Sequence, residues 1–154
     1  MIPIEQFHPI VVHFPIVFFL SLAALDTVAL FRNTPIDGRG GVANLSAGLA
    51  VLAGLAATAA YSFGDAAVDV ALVKGIAEAR LETHELLGTI TAIVLALWGL
   101  ARAYIWWRRL PVGNGKARGL VLVEVATSIL IVATAYYGGQ LVYDYGVNVA
   151  LSAP

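Results

Sequence analysis

Long apolar runs alternate with short polar breaks along this chain. Four runs stand out: Pro9–Phe31, Val42–Phe63, His84–Trp107 and Leu120–Val142. Each holds about 22–24 residues, or about 33–36 Å as helix, which is enough to cross a bilayer with some tilt. The breaks RNTPIDGRGG and RRLPVGNGKARG separate the first two runs and the last two. The pattern predicts an all-α protein, an integral membrane four-helix bundle formed as a single domain over residues 1–154. The middle break, GDAAVDVALVKGIAEARLETHE, is longer and mixed. Within it, Ala71–Glu85 reads as an amphipathic stretch, first of all a solvated helical cap, with an interfacial helix or a soluble extension of the third span as the alternatives. On the second run small residues recur every four positions, at Ala43 and Ala47 and again at Ala50, Gly54 and Thr58. That spacing predicts close helix packing.

Composition supports the bilayer as solvent. The chain is 60% hydrophobic and 12% charged, against about 45–50% and about 25% in soluble domains. A net charge of −1 speaks against nucleic acid as a partner. With no cysteine, the chain can build no disulfide, iron–sulfur cluster or thiolate haem. The opening MIPIEQFHPIVVHFP lacks the basic start of a cleaved signal and carries three prolines, so the first run is expected to stay as a helix. Basic residues set the orientation. Arg32 and Arg39 lie in the first break, and Arg108, Arg109, Lys116 and Arg118 in the third, while acids outnumber Lys74 and Arg80 in the middle one. The positive-inside rule then places both termini and the middle break on the periplasmic, outer side. Tyr104, Trp106 and Trp107 fit an inner aromatic belt, and Tyr136, Tyr137, Tyr143 and Tyr145 an outer one.

On this topology all three histidines, His8, His13 and His84, fall near one membrane face. Imidazoles at one depth of a helical bundle suggest a haem or metal site. His13 lies about one turn inside the first span, roughly 6 Å deep, and His84 opens the third. His8 lies nearer water, at the rim. Pro9 suits a first helical turn, and Pro15 is placed to distort the first two turns. The pair His13 and His84 is therefore read as axial ligands to one haem b. Gly88, on the face of His84, and Gly138 and Gly139, at the outer end of the fourth span, offer room for a flat ring. Phe7, Phe14, Phe18 and Phe63 offer apolar walls. Glu5, Gln6, Glu82, Glu85 or backbone carbonyls are candidate partners for the second imidazole nitrogen. A zinc or copper ion on His8, His13 and His84, completed by Glu5 or water, is the competing ligand reading. Interfacial anchoring or helix capping is the reading without a ligand.

Other polar groups share a deeper layer. Asp26, Arg102 and Glu124 each lie about 8 Å from an inner helix end, and are expected to form one buried ion-pair network. A proton path or quinone contact is the sharper alternative. Ser46, Thr58, Thr127, Ser128 and Thr134 are expected to bond their own helix backbone. The closing YYGGQLVYDYGVNV, with Asn148, predicts an ordered cap over the histidine layer, in which Tyr143 or Gln140 contacts a propionate or ligand. An outer aromatic belt is the plainer reading.

The segments HPIVVHFPIVFF, THELLG and GGQLVYDYGVNV together resemble the bacterial membrane family labelled domain of unknown function 2231, over nearly the whole chain. The resemblance implies a four-span bundle and makes His8, His13, His84, Gly138, Gly139 and Tyr143 pattern positions. It implies a redox neighbourhood, with Rieske-type and cytochrome proteins fused to or encoded beside its members. One departure is Glu85, acidic where a basic or polar residue is expected after the histidine.

The leading expectation is a multi-pass subunit of the bacterial inner membrane, b-type cytochrome-like, which binds haem near the outer face for electron transfer. Its partners would be the lipid bilayer, a respiratory, Rieske-type or cytochrome protein, and a second copy of the chain. An accessory electron-transfer role is expected over a stand-alone enzyme. The rival from another class is a non-redox scaffold or assembly subunit of a membrane complex. A zinc- or copper-binding membrane protein is the third reading. Against transport, the spans show no inverted repeat or central broken helix.

Overall fold

Each apolar run becomes a helix, and three of the helices extend well beyond the predicted spans. The computed structural model describes residues 3, 6–147 and 149. Among them are α1 (Phe7–Val11), α2 (His13–Phe31), α3 (Gly41–Val73), α4 (Glu78–Arg108) and α5 (Asn114–Tyr143). The first span is α1 and α2 in tandem, Phe7–Phe31. The helical hydrogen-bond ladder is interrupted just after Val12, which keeps helical dihedrals and donates its N–H to the His8 carbonyl one turn back. Pro15 explains the break: it has no N–H for the Val11 carbonyl, and its ring crowds that carbonyl.

The middle break is not an extended loop. α3 runs through it to Val73 and α4 starts at Glu78. The two helices turn at Gly75, whose φ of +86° belongs to the left-handed region. Gly75 N–H bonds the Leu72 carbonyl and Ile76 N–H the Ala71 carbonyl, which satisfies the end of α3. The amphipathic stretch Ala71–Glu85 is therefore a largely exposed helical cap, as expected, built of two helix ends and a corner instead of one interfacial helix. Sequence periodicity does not register a glycine that reverses the chain.

Side-chain size, more than polarity, separates inside from outside. The buried face of α3 is Ala43, Ser46, Ala47, Ala50, Ala53, Gly54, Ala57, Ala60, Ala67 and Ala71. Leu45, Leu52 and Leu55 point outward, as do Leu97 and Leu100 on α4 and Leu122, Ile129 and Val132 on α5. Small residues let the backbones approach, and the large apolar side chains meet lipid. At the tightest crossing, a Cβ on Gly99 of α4 would lie 2.8 Å from the Ala50 carbonyl oxygen of α3.

The bundle has layers. Asp26, Ser46, Arg102 and Glu124 occupy the half nearer the basic loops. An apolar plug of Phe19, Leu22, Ala53, Ala57, Leu95 and Ile131 follows. The histidines lie beyond it, and Ala71, Leu81 and Leu141 close that end. Val147 packs onto this last cluster, so the tail is ordered there. Tyr143 itself is 89% exposed and covers nothing. Asn148 lies outside the described residues.

The first two spans and the last two also repeat one design. His8 stands as far ahead of Asp26 in the chain as His84 stands ahead of Arg102. The buried Phe19, Ala23 and Asp26 correspond to the buried Leu95, Gly99 and Arg102, at the same offset that separates His8 from His84. The buried Ala43, Ala47, Ala50, Ala53, Ala57 and Ala67 correspond to the buried Ala117, Val121, Glu124, Thr127, Ile131 and Leu141, again at one constant offset. The two hairpins run in parallel, related by a quasi-two-fold axis along the bundle.

Candidate functional site

The structure brings His8 and His84 together and leaves His13 apart. On an ideal helix, residues five positions apart differ by about 140° in direction, so His8 and His13 cannot share a face. His8 lies on the stripe that continues through Pro15, Phe19, Leu22 and Asp26, all buried. His13 is exposed on the outer face. The roles expected from depth alone are thus reversed: His8 is the inward histidine of the first span, and His13 is not opposite His84.

Each inward histidine is seated the same way. His8 Nδ1 is 2.9 Å from the Ala60 carbonyl oxygen of α3, and His84 Nδ1 is 3.1 Å from the Thr134 carbonyl oxygen of α5. A carbonyl only accepts, so both Nδ1 atoms carry the proton and donate. In the neutral imidazole, Nε2 then holds a lone pair. One turn past each carbonyl is a glycine under the ring. A Cβ on Gly64 would fall 3.0 Å from His8 Cε1, and one on Gly138 would fall 2.8 Å from His84 Cε1. The two ring centres are 6.2 Å apart, with planes at 77°. Thr134 carries a further bond, its hydroxyl lying 2.8 Å from that of Thr91.

The other predicted residues fall in different places. Gly138 lies against His84, whereas an added Cβ at Gly88 or Gly139 would meet nothing within 4 Å. Phe63 stacks on Phe7 at 5.6 Å beside His8, and Phe14 is exposed. Glu5 lies outside the described residues. The imidazole partners are backbone carbonyls, not Gln6, Glu82 or Glu85. A cavity of about 170 Å³ opens beside His84, lined by Ala79, Arg80, Thr83, Tyr137, Gln140, Leu141 and Tyr145. Its cation, Arg80, lies 4.6 Å over the Tyr145 ring. Among the described residues, no group of three or more His, Cys, Asp or Glu side chains converges as for a metal ion.

Asp26, Arg102 and Glu124 do form one network. Arg102 Nη2 is 2.7 Å from Asp26 Oδ2, and Nη1 is 3.2 Å from Glu124 Oε1. Trp98 Nε1–H donates to the same Oε1 at 3.2 Å, and the Ser46 hydroxyl donates to Asp26 Oδ1. Ser46 thus departs from the expected bond to its own backbone. It faces a buried carboxylate, the stronger acceptor. Thr58, Ser128 and Thr134 do bond carbonyls one turn back. The roles of Trp98 and Ser46 escaped the sequence reading, and His8 entered it only as a rim residue of the zinc or copper set. The equal spacing of His8 from Asp26 and of His84 from Arg102 was the available signal for His8, because it amounts to about five full turns and returns to one face.

The family model described as predicted membrane protein (DUF2231) matches residues 4–151. No curated protein and no solved structure matches the chain.

Proposed function

The chain belongs to the DUF2231 family of predicted membrane proteins, and from that premise we propose that it is a b-type cytochrome-like subunit whose His8 and His84 hold one haem. The observation that carries this is the ring-centre separation of 6.2 Å between two imidazoles whose Nδ1 atoms are both tied to helix carbonyls. A metal bonded to an imidazole nitrogen at about 2.0 Å on each side sets the ring centres about 6 Å apart. The donor set therefore suits one shared metal atom. Carbonyl partners on Nδ1 fix each ring's orientation and raise its basicity at Nε2.

The number of ligands favours haem over a bare ion. Zinc takes three or four protein ligands, and the described residues offer a converging pair. A haem would call on the protein for two donors only, His8 and His84, and held there would supply one-electron transfer. Arg80, Thr83, Tyr137 and Gln140 line the cavity beside His84 with donors suited to carboxylates. At about 170 Å³ this cavity takes the carboxylate edge of a macrocycle and not a whole one. Gly64 and Gly138 keep the imidazoles seated by leaving them space.

In this reading the basic loops face the cytoplasm of a bacterial inner membrane, and the histidine end faces outward. A respiratory, Rieske-type or cytochrome partner exchanges electrons at that end. The test is an absorption spectrum of the purified protein, oxidised and reduced. Sharp reduced α and β bands are expected in wild type and in His13→Ala, and are lost in His8→Ala and His84→Ala. A colourless protein after haem-supplemented expression overturns the proposal. If that protein carries stoichiometric zinc or copper, the metal-ion reading replaces it.

A further inference from the structure

We propose that the Asp26–Arg102–Glu124 cluster is a proton-binding site, with Glu124 as the seat of the proton and with access from the basic-loop end only. This does not rest on the haem reading. It begins with a charge count. Two carboxyl groups at 0% exposure share one guanidinium at 2%. The groups that face them are the Ser46 hydroxyl on α3 and the Trp98 indole on α4, both neutral. Thr127 of α5 is the other buried polar side chain among the described residues, and it too is neutral. Ionised throughout, the cluster would hold a net negative charge inside the membrane. An uncompensated buried charge is costly, and such groups take up a proton instead.

Hydrogen bonding indicates where the proton goes. Glu124 Oε2 is buried with no hydrogen-bond partner, whereas Asp26 Oδ2 has the Arg102 guanidinium at 2.7 Å. A proton on Glu124 turns that bare acceptor into a donor and removes the net charge of the cluster. Asp26 is the better supported anion, because Ser46 donates to Oδ1 and Arg102 Nη2 lies 2.7 Å from Oδ2. Glu124 has two contacts at 3.2 Å, both on Oε1. Its other oxygen is left bare, so Glu124 is the one to protonate.

Access is asymmetric. A cleft with room for about one water (about 10 Å³) reaches Arg102 from the first loop, between Asp37 and Gly38 on the loop and Ala43 and Ala47 on α3. Toward the histidines, Phe19, Leu22, Leu95 and Ile131 close the core. About 27 Å of helix separates Glu124's layer from the histidine layer. The step is simple exchange. A hydronium ion arriving from the basic-loop end gives up its proton, which ends on a Glu124 carboxylate oxygen, and is left as water, so the cluster passes from net −1 to neutral.

Infrared spectroscopy of the full chain in lipid nanodiscs tests this. Wild type at neutral pH is expected to show the carbonyl stretch of a protonated carboxyl, shifted in D₂O and fading on alkaline titration. Glu124→Gln, which keeps the shape and an acceptor for Trp98 and Arg102, is expected to lose the band. Ala47→Leu, which fills the cleft, is expected to keep the band and slow its shift in D₂O several-fold. The proposal is overturned if wild type has no such band, or if the band survives Glu124→Gln and is lost in Asp26→Asn. It is also overturned if filling the cleft leaves the exchange rate unchanged. The wild-type spectrum needs no variant to fold.

Discussion

His8 and His13 are close neighbours in the chain and have opposite surroundings. Depth along the helix was legible in the sequence, since it follows from counting residues at a rise of about 1.5 Å each. Direction around the helix was not, because apolar residues surround both histidines and polarity marks no inner face. What places His8 is a glycine: Gly64 leaves room for its ring against α3, as Gly138 does for His84 on α5. Arg102 shows the same dependence on neighbours. It was legible as one member of a charged layer, yet its contacts, with Asp26 at 2.7 Å and Glu124 at 3.2 Å, exist only once three helices meet. Arg102→Met is expected to destabilise the protein by about 3–5 kcal/mol, because it leaves buried carboxyl groups without their cation. Thermal unfolding in detergent or nanodiscs measures this. Adding Asp26→Leu and Glu124→Leu to the same chain should recover most of the loss, as a buried ion network replaced whole by apolar residues is often neutral.

At the scale of elements, the four spans were readable from the chain, while their ends and contacts were less so. The Ala43–Ala47 and Ala50–Gly54 spacing announced a close-packing helix, and all four residues are buried in α3. The partner surface on α4 was not announced, because nothing in the run sets Gly99 apart from its other glycine, Gly88. Gly99 matters because its missing Cβ admits the Ala50 carbonyl. Gly99→Ala would set a Cβ 2.8 Å from that oxygen. The obstacle is backbone and cannot rotate away, so α3 and α4 must part, at a cost of about 1–3 kcal/mol. Gly88→Ala, on the same helix with no atom within 4 Å of the new Cβ, should stabilise by up to about 1 kcal/mol through helix propensity. Paired thermal melts of the two variants check this opposite sign.

For the whole molecule, the hairpin repeat explains why each polar site draws one residue from each half. Equivalent positions meet across the quasi-two-fold axis, His8 with His84 and Asp26 with Arg102. In the first pair the two sides kept the same chemistry, and in the second they became opposite charges. The orientation of the bundle in its membrane is testable directly. With Glu78→Cys at the histidine end and Lys116→Cys at the basic end, an impermeant thiol reagent added to intact cells should label the first and spare the second. The reverse result would turn the bundle over and place the histidine pair inside. The sequence by itself determined the solvent, the number of spans and the depth of every charged or imidazole group, because hydropathy and helix rise are properties of a run of residues. Only the tertiary structure decided that His8 faces His84, that Ser46 and Trp98 hold the buried carboxyl groups, and that a glycine corner divides the helical cap of the middle break. Those outcomes depend on direction around each helix and on where a missing Cβ lets another helix approach, and in a chain apolar on every side neither is written in polarity.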